Sequence, residues 1–564
     1  YYGIQRSLKP ERPLNALEYM ELKNERQLNL GVKSLMFPKE SFEPYWNGTK
    51  QSTDWTQELK ENVPQTYHSI SARGGTEKLD YYVGFGYNKE NGLWKSGDLN
   101  YNRYNLRSNV TATIVKGLKV EALLNLMTDE KNSPYLSSDG VILAMYRQLP
   151  LNPYYANDNP DYPATIISNH PEVASYSDKS GYRKEQQRLA QTNLAVEWEL
   201  PWVKGLKLRG MYSYDFTSNA NKSFQKKYNT YNYDSATDTY IPVAVNSPSN
   251  VRKENYEYIN SLLQLSVTYN KSFGDGHNLS GLFLYEESDR KGDNFWGSRD
   301  VSMDSLDHLF AGSSNNQQTN TNANADKLYH LAYKAIIGRV NYDYQSKYLA
   351  EFSFRYDGSS KNAPNKRWGF FPSASIGWRF SDEIFMQWMK PVVSDSKLRL
   401  SYGVTGNQVA GNFSSLGLYT TNFYADMPGI YPNQLENRNL GWEQTKQYNI
   451  GLDVSFLDGR IGLIADYYNK KTSDVLYQVK LPQTSGFSSS YQNIGDVKNT
   501  GWEITINSTN IDTKDFQWST SLNLSFNKNK IVSIPEGGQQ FINTVYILDK
   551  GYAVGTMYGW KAKA

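Results

Sequence analysis

The chain has 564 residues, among them 45 Tyr, 22 Phe and 13 Trp, yet its mean hydropathy of -0.67 is that of a polar protein. No stretch approaches the roughly 18 consecutive apolar residues that a membrane helix needs, which excludes a helical membrane protein. The chain contains no cysteine, and its 60 basic and 57 acidic residues nearly balance. Disulfide frameworks and zinc-thiolate sites are therefore excluded, and nothing indicates a nucleic-acid partner.

The chain begins without the pattern of an export signal. Tyr1 to Arg6 contain neither a charged region nor a following apolar region, so we expect the protein to have further residues upstream. The next segment, residues 11–65, is predicted to be one long loop on the extracellular side. Within it, Asn15 and Glu18 have the spacing of a capping box, which predicts a short helix.

Alternation of apolar and polar residues dominates the rest of the chain. It is clearest from Tyr448 to Phe456, where every second residue is apolar, and from Phe516 to Asn527. Further strands are predicted to begin near the following positions: Leu79, Arg103, Leu118, Gln191, Leu206, Ile259, Leu279, Lys334, Tyr348, Phe371, Lys397, Ile461 and Gly501. Strands with one apolar and one strongly polar face are typical of a barrel that meets lipid outside and water inside. The sequence therefore predicts an all-β protein, a transmembrane antiparallel β-barrel.

The predicted connections alternate between short and long. The short ones are rich in Gly, Asp and Asn, as at Lys116-Gly117 and Asp458-Gly459-Arg460. After the first long loop, the long ones are predicted at 133–185, 229–257, 297–327 and 409–441. Short periplasmic turns and long extracellular loops alternate in this way in outer-membrane barrels.

Counting strands gives about 17, the last ending near Ile534. An odd number cannot close a barrel with both chain ends on one side, and an open edge is not tolerated in lipid, so we expect further strands after Ala564. Tryptophans near strand ends are predicted to form an interfacial girdle. They are Trp94, Trp202, Trp296, Trp368, Trp442, Trp502 and Trp518.

A search for enzyme chemistry finds no constellation. The five histidines are scattered, without the spacing of a zinc site or a catalytic triad. Asn157, Asp158 and Asp161 could bind a hard cation, but a solvated loop is the better interpretation of them. We therefore predict that the protein is not an enzyme and has no catalytic, metal-binding or cofactor-binding residues.

The predicted outer loops do carry aromatic residues. Aromatic faces stack on sugar rings, and tyrosine hydroxyls supply directional hydrogen bonds. The same side chains would suit a peptide, or would only pack the loops together. The candidate substrate-binding residues are Tyr154, Tyr155, Tyr231, Tyr233, Phe423, Tyr424 and Tyr431.

Several segments, in this order, resemble the SusC/RagA group of TonB-dependent outer-membrane transporters of Bacteroidota. They are spread over nearly the whole chain. They include Ser71-Ala-Arg-Gly-Gly-Thr-Glu-Lys, Phe354-Arg-Tyr-Asp-Gly-Ser-Ser, Leu400-Ser-Tyr-Gly-Val-Thr-Gly-Asn-Gln, Asp466-Tyr-Tyr-Asn-Lys-Lys-Thr-Ser-Asp and Asn493-Ile-Gly-Asp-Val-Lys-Asn-Thr-Gly. By this resemblance, residues 1–564 are part of a barrel of about 22 strands, without its N-terminal plug domain and its last strands.

The resemblance also implies a function in the outer membrane. It implies active import of a large nutrient, foremost an oligosaccharide, with a SusD-like surface lipoprotein as partner and TonB-ExbB-ExbD acting through the plug. Dimers of transporter–lipoprotein pairs are a further expectation from it. The alternatives are an oligopeptide importer of the RagA type, a siderophore or cobalamin receptor, and a surface glycan-binding adhesin.

Overall fold

The computed structural model describes residues 1–6, 12–319, 327–408, 410–424, 427–534, 540–542 and 545–559. Most of these residues are in β-strands. In chain order the first thirteen strands are β1 (Tyr2–Arg6), β2 (Asn62–Gly75), β3 (Leu79–Asn91), β4 (Asn100–Val115), β5 (Leu118–Pro134), β6 (Gly181–Glu199), β7 (Leu206–Gln225), β8 (Tyr228–Asp234), β9 (Thr239–Val245), β10 (Ser249–Phe273), β11 (His277–Val301), β12 (Gln317–Thr319) and β13 (Tyr329–Tyr344). The others are β14 (Tyr348–Ser359), β15 (Trp368–Trp378), β16 (Val393–Asn407), β17 (Leu418–Tyr424), β18 (Met427–Gln434), β19 (Glu443–Phe456), β20 (Ile461–Lys480), β21 (Ser489–Asp512), β22 (Gln517–Ser533), β23 (Gln540–Ile542), β24 (Tyr546–Leu548) and β25 (Thr556–Met557).

One large antiparallel sheet organises the chain. Its strands pair in sequence order, from β1 through β7 to β10, β11, β13 to β16 and β19 to β22, and the short β12 adds to β11. Without β12 the ladder has seventeen strands, which confirms the predicted number. Within the described ranges, β1 pairs only with β2, and β22 pairs only with β21.

The two faces of this sheet have opposite chemistry. On one face, large apolar side chains such as Phe283, Ile376, Ile450 and Phe526 are about half exposed. The residues between them along the strands are largely polar and face the other side. Exposure of so many large apolar side chains to water would be energetically unfavourable. The arrangement therefore indicates an outward face that meets lipid and an inward face that meets water.

Several strands are longer than predicted. On the outward face of β10 the apolar alternation runs from Ile259 to Tyr269, but the strand itself begins at Ser249. The added residues carry polar outward side chains, such as Lys253 and Glu257, and they pair with β11 and β7. The prediction of a loop over 229–257 was therefore wrong for residues 249–257.

The helices all lie in connections between strands. They are α1 (Ala16–Asn29), α2 (Lys39–Trp46), α3 (Ser138–Arg147), α4 (Pro171–Ser175) and α5 (Ser177–Ser180), with 3-10 turns at Trp55–Glu58, Ala156–Asp158, Leu309–Ala311, Pro364–Lys366, Phe380–Asp382, Ile384–Met389 and Gln483–Ser485. The capping box at Asn15 is confirmed: its side chain accepts from the Glu18 backbone, and Glu18 accepts from the Asn15 backbone, both at 2.9 Å. Among the described residues, no helix is long and apolar enough to cross a membrane.

The connections define two ends of the sheet. At the end called here the long-loop end, the β1–β2, β5–β6, β7–β10, β11–β13 and β16–β19 connections are long; at the short-turn end most connections have two to six residues. Trp202, Trp368 and Trp518 are exposed near strand ends, as an interfacial girdle requires, whereas Trp502 is exposed in the middle of β21. The prediction was wrong for Trp94, which is buried at the long-loop end because two connections pack over it.

Candidate functional site

The β1–β2 and β5–β6 connections share one apolar core at the long-loop end, to which the β3–β4 connection adds Trp94. We call it the loop core; it consists of Trp55, Trp94, Val141, Met145 and Ala174. The Trp55 indole N–H donates to the Leu149 carbonyl at 3.2 Å, and the Thr53 hydroxyl donates to the Asn152 carbonyl at 2.6 Å. Because apolar packing and hydrogen bonds both join them, the two connections form one folded unit.

Tyr154, one of the predicted substrate-binding residues, packs against this loop core. Its ring stacks on Trp55 with centroids 4.5 Å apart and meets the edge of His170 at 5.3 Å. Its hydroxyl donates to the Glu58 carboxylate at 3.0 Å. The neighbouring Tyr155 donates to Glu172 at 2.7 Å. Both hydroxyls are therefore held by carboxylates of the loops.

Burial shifts the pKa values of two groups in this region. It raises the pKa of Glu58 and lowers the pKa of His170, because each charged form would lose its hydration. Burial alone would also raise the pKa of Glu172, but hydrogen bonds from Lys179, at 2.6 Å, and from Tyr155 outweigh it and lower that pKa. Glu172 is thus paired with a cation, Lys179.

Tyr231 and Tyr233 lie in a different aromatic group. The hairpin of β8 and β9 puts them on one face with Tyr240, and the β5–β6 connection adds Tyr162. We call these four residues the tyrosine platform. Tyr162 stacks on Tyr240 at 3.8 Å and meets Tyr231 edge-on at 4.9 Å. All four rings are half-buried, so part of each remains open to a ligand.

Backbone pairing fixes the platform to the loop core unit. Ala164 forms a parallel bridge with Tyr231, whose N–H donates to the Pro163 carbonyl at 2.8 Å. Thr165 donates in turn to the Tyr231 carbonyl at 3.0 Å. The hairpin belongs to the β7–β10 connection, and these backbone contacts attach it to the β5–β6 connection.

The remaining predicted residues lie in the β16–β19 connection. Tyr431 is exposed on β18 and pairs across the hairpin with Thr420 of β17. Phe423 and Tyr424 end β17, and their side chains lie outside the described residues. The structure thus brings Tyr231 together with Tyr233, and Tyr154 together with Tyr155, while Tyr431 belongs to a separate hairpin.

Sequence reasoning missed Tyr162 and Tyr240. Tyr240 is the second residue of the run Thr239–Val245, which is rich in β-forming residues and follows the turn 235–238. That run could have predicted a hairpin with Tyr228–Asp234, and hence that Tyr240 faces Tyr233. No local pattern marks Tyr162, because its position depends on contact between two distant loops.

A recess of about 450 Å³ lies beside the loop core. Trp94, Leu99 and Ile142 provide apolar lining, and Glu90 and Lys131 bring charges from β3 and β5. An apolar recess with a few polar groups is the usual form of a ligand site. In the part of the chain that the structure describes, no group of three or more His, Asp or Glu residues could hold a metal ion.

Nearer the short-turn end, the inward face carries an ionic cluster. Arg399 donates to Asp453 through Nη2 at 2.7 Å and to Asp466 at 3.0 Å, and Lys397 lies 3.1 Å from Asp453. The ion pair between Arg399 and Asp466 passes over Gly451, where a side chain would collide with it: a Cβ at this position would lie 2.4 Å from Asp466 Oδ1 and 2.6 Å from Arg399 Cζ. Charged side chains at this depth are consistent with a wet interior.

An antiparallel sheet with a lipid-facing outside, a charged inside and large loops at one end defines an outer-membrane β-barrel. The family model described as "TonB dependent receptor-like, beta-barrel" matches residues 135–546, and the chain belongs to that family.

The chain is similar to TonB-dependent receptor P3 of Formosa agariphila, with 31% identity over 91% of this chain and 51% of that protein. It is also similar to TonB-dependent receptor SusC of Bacteroides thetaiotaomicron, with 29% identity over 86% of this chain and 49% of that protein. Among solved structures, the RagAB peptide importer in the closed-closed state matches with a TM-score of 0.79 and 24% identity, over 98% of this chain and 63% of that one. The chain spans about half the length of these curated relatives.

Proposed function

We propose that the protein containing this chain actively imports an oligosaccharide across the outer membrane. In this proposal it works as the SusC-like partner of a SusD-like surface lipoprotein, and TonB-ExbB-ExbD supplies the energy through a plug domain. No bond of the substrate is made or broken. The likeness to SusC and to other TonB-dependent receptors supports the transporter class.

The tyrosine platform is the observation that carries the substrate class. Its rings are held at fixed angles by one another and by the backbone bridge at Tyr231, so little side-chain entropy is lost when a ligand binds. Tyrosine faces suit the apolar faces of sugar rings, and their hydroxyls suit sugar hydroxyls. Tyr154 and Tyr155 already use their hydroxyls to bind Glu58 and Glu172. In this proposal they therefore belong, with the loop core, to the rigid base that supports the platform.

The inward face supports passage of a hydrated solute. A barrel of seventeen or more strands is too wide for its own side chains to fill, so it encloses water and must be sealed by another element. The charged residues around Arg399 suit a wet wall of this kind. Release of the seal then needs work from outside, which the TonB system would provide.

Uptake of labelled oligosaccharides and of peptides of matched size, by cells that carry the protein, tests this function. Oligosaccharide uptake should stop with a protonophore, while surface binding should continue. Tyr231→Ala and Tyr240→Ala should each weaken binding by about tenfold, the equivalent of one aromatic contact. Tyr212→Ala, which removes a ring from the lipid-facing side of β7, is the matched control and should bind normally.

Three results would contradict the proposal. Uptake of peptides alone would make the protein a peptide importer, as RagAB is. Uptake that continues with the protonophore would indicate passive flow. Surface binding without any uptake would favour an adhesin or a receptor for another ligand.

A further inference from the structure

One connection at the short-turn end differs from its neighbours. Residues 379–392 join β15 to β16, and this stretch is much longer than the two to six residues of the other described connections at that end. It contains two 3-10 turns, Phe380–Asp382 and Ile384–Met389. A turn between two antiparallel neighbours does not need this length.

The segment folds back against the lipid-facing side of the sheet. Phe380 and Phe385 lie beside Trp378, with ring centroids 5.8 and 6.2 Å away. Trp378 ends the outward row of β15, two residues after the exposed Ile376. The contacts therefore join the segment to the same face that carries the apolar band.

A single carboxylate holds this arrangement. Glu383 accepts from the Trp378 indole at 3.0 Å, from the Tyr348 hydroxyl at 2.6 Å and from Lys347 at 3.3 Å. These donors hold the pKa of Glu383 below its usual range, chiefly through the Tyr348 hydroxyl. Because Glu383 directly precedes Ile384–Met389, its three hydrogen bonds fix where that turn starts.

The free side of the segment is apolar. Ile384 is 89% exposed, Trp388 76% and Phe385 58%, and Val392 is also exposed. Several polar residues of the segment are held by other polar groups instead: Lys390 lies 3.8 Å from Asp382, and the Ser381 hydroxyl donates to Asp395 at 3.2 Å. Large side chains left so exposed in water are unfavourable, whereas Trp and Phe are typical of the lipid headgroup region.

We propose that residues 379–392 form an interfacial anchor that lies in the headgroup region of the leaflet at the short-turn end. Ile384, Phe385 and Trp388 point into the boundary with the acyl chains. Lipid is the occupant because the apolar surface is continuous, through Phe385 and Trp378, with the band that already faces the membrane. The proposal depends on the outer-membrane location and not on the transported substrate.

Single-cysteine labelling can test the anchor, because the chain has no cysteine of its own. Trp388→Cys and Ile384→Cys would each be labelled with an environment-sensitive fluorophore in the protein purified from outer membranes and reconstituted in lipid vesicles. Lipids carrying a quencher near the headgroup should remove about half of the fluorescence or more, as expected for a side chain at the boundary. Quenchers deep in the acyl chains should have less effect.

Two further positions provide the controls. Ile376→Cys on the lipid-facing row should be quenched by the deeper lipids, which also shows that the barrel is correctly inserted. Phe310→Cys, 80% exposed in a long connection at the opposite end, should not be quenched. If Trp388→Cys and Ile384→Cys behave like Phe310→Cys while Ile376→Cys is quenched, the segment lies in water and the anchor is refuted.

Discussion

Replacement of Trp55 by alanine would remove the centre of the loop core. Trp55 is 2% exposed, stacks on Tyr154, meets His170 edge-on and donates to the Leu149 carbonyl. Truncation of a buried tryptophan to alanine costs about 3–5 kcal/mol. Since the site joins two connections and not the barrel strands, we expect this cost to fall on local opening of the loops.

Hydrogen exchange of the backbone amides measures that opening. Amides around 53–60 and 149–176 should exchange about 100- to 4,000-fold faster in Trp55→Ala, from about 1.4 kcal/mol for each factor of ten, until protection is lost. Amides of the barrel strands should keep their rates. Trp388→Ala, which truncates a tryptophan that is 76% exposed at the other end, is the matched control and should leave both loops unchanged.

Two outcomes would refute the reasoning. Unchanged protection in both connections would mean that Trp55 does not hold them together. An equal loss of protection in the barrel strands would mean that the loops and the barrel open as one unit, so that the loop core is not a separate element.

Substitutions at three other sites, with their controls, probe charge and space. Gly451→Ala should displace Arg399 and lower the free energy of unfolding of the barrel by about 1–3 kcal/mol. The control Gly281→Ala, whose added Cβ meets nothing within 4 Å, should leave it unchanged. Equal melting curves for the two variants would contradict this. Glu58→Gln keeps an acceptor for the Tyr154 hydroxyl. Near neutral pH, the free energy of loop opening measured by hydrogen exchange should therefore stay within about 1 kcal/mol of wild type, whereas Glu58→Leu should lower it by about 1–3 kcal/mol. His170 has a lowered pKa when folded, so its neutral form stabilises the loops above its ordinary pKa and this stability is lost as the pH falls. Loop exchange should therefore accelerate on acidification in wild type and less so in His170→Gln, and identical pH profiles would argue against it.

The strands were predicted correctly from the sequence where they cross the lipid, because contact with lipid requires apolar residues on the outward face. In Ile259 to Tyr269 every outward residue except Ser261 is apolar, as contact with lipid requires, and that stretch was correctly predicted as a strand. In residues 249–257 the outward side chains are polar apart from the buried Val251, so the alternation disappears although the ladder continues. Local pattern could not reveal pairing that depends on β7 and β11.

The candidate site shows the same limit. Tyr231 and Tyr233 were identified as aromatic residues of a predicted outer loop, but their partner Tyr162 comes from a loop far away in sequence. Tyr154 was identified by the same argument, and its stacking on Trp55 could not be foreseen, because Trp55 belongs to another connection. Aromatic content therefore located the region, whereas the contacts between loops decide which rings remain open.

The length of β10 and β11 has a consequence for what reaches the loops. Each strand has 25 residues, and only about 11 of those in β10 carry the apolar outward pattern that spans a bilayer. The ten residues from Ser249 to Tyr258 add about 33 Å along the strand, or about 23 Å of height at a tilt of 45°. The wall thus stands above the lipid as a collar, and the loop that precedes Ser249 begins well clear of the crowded headgroups.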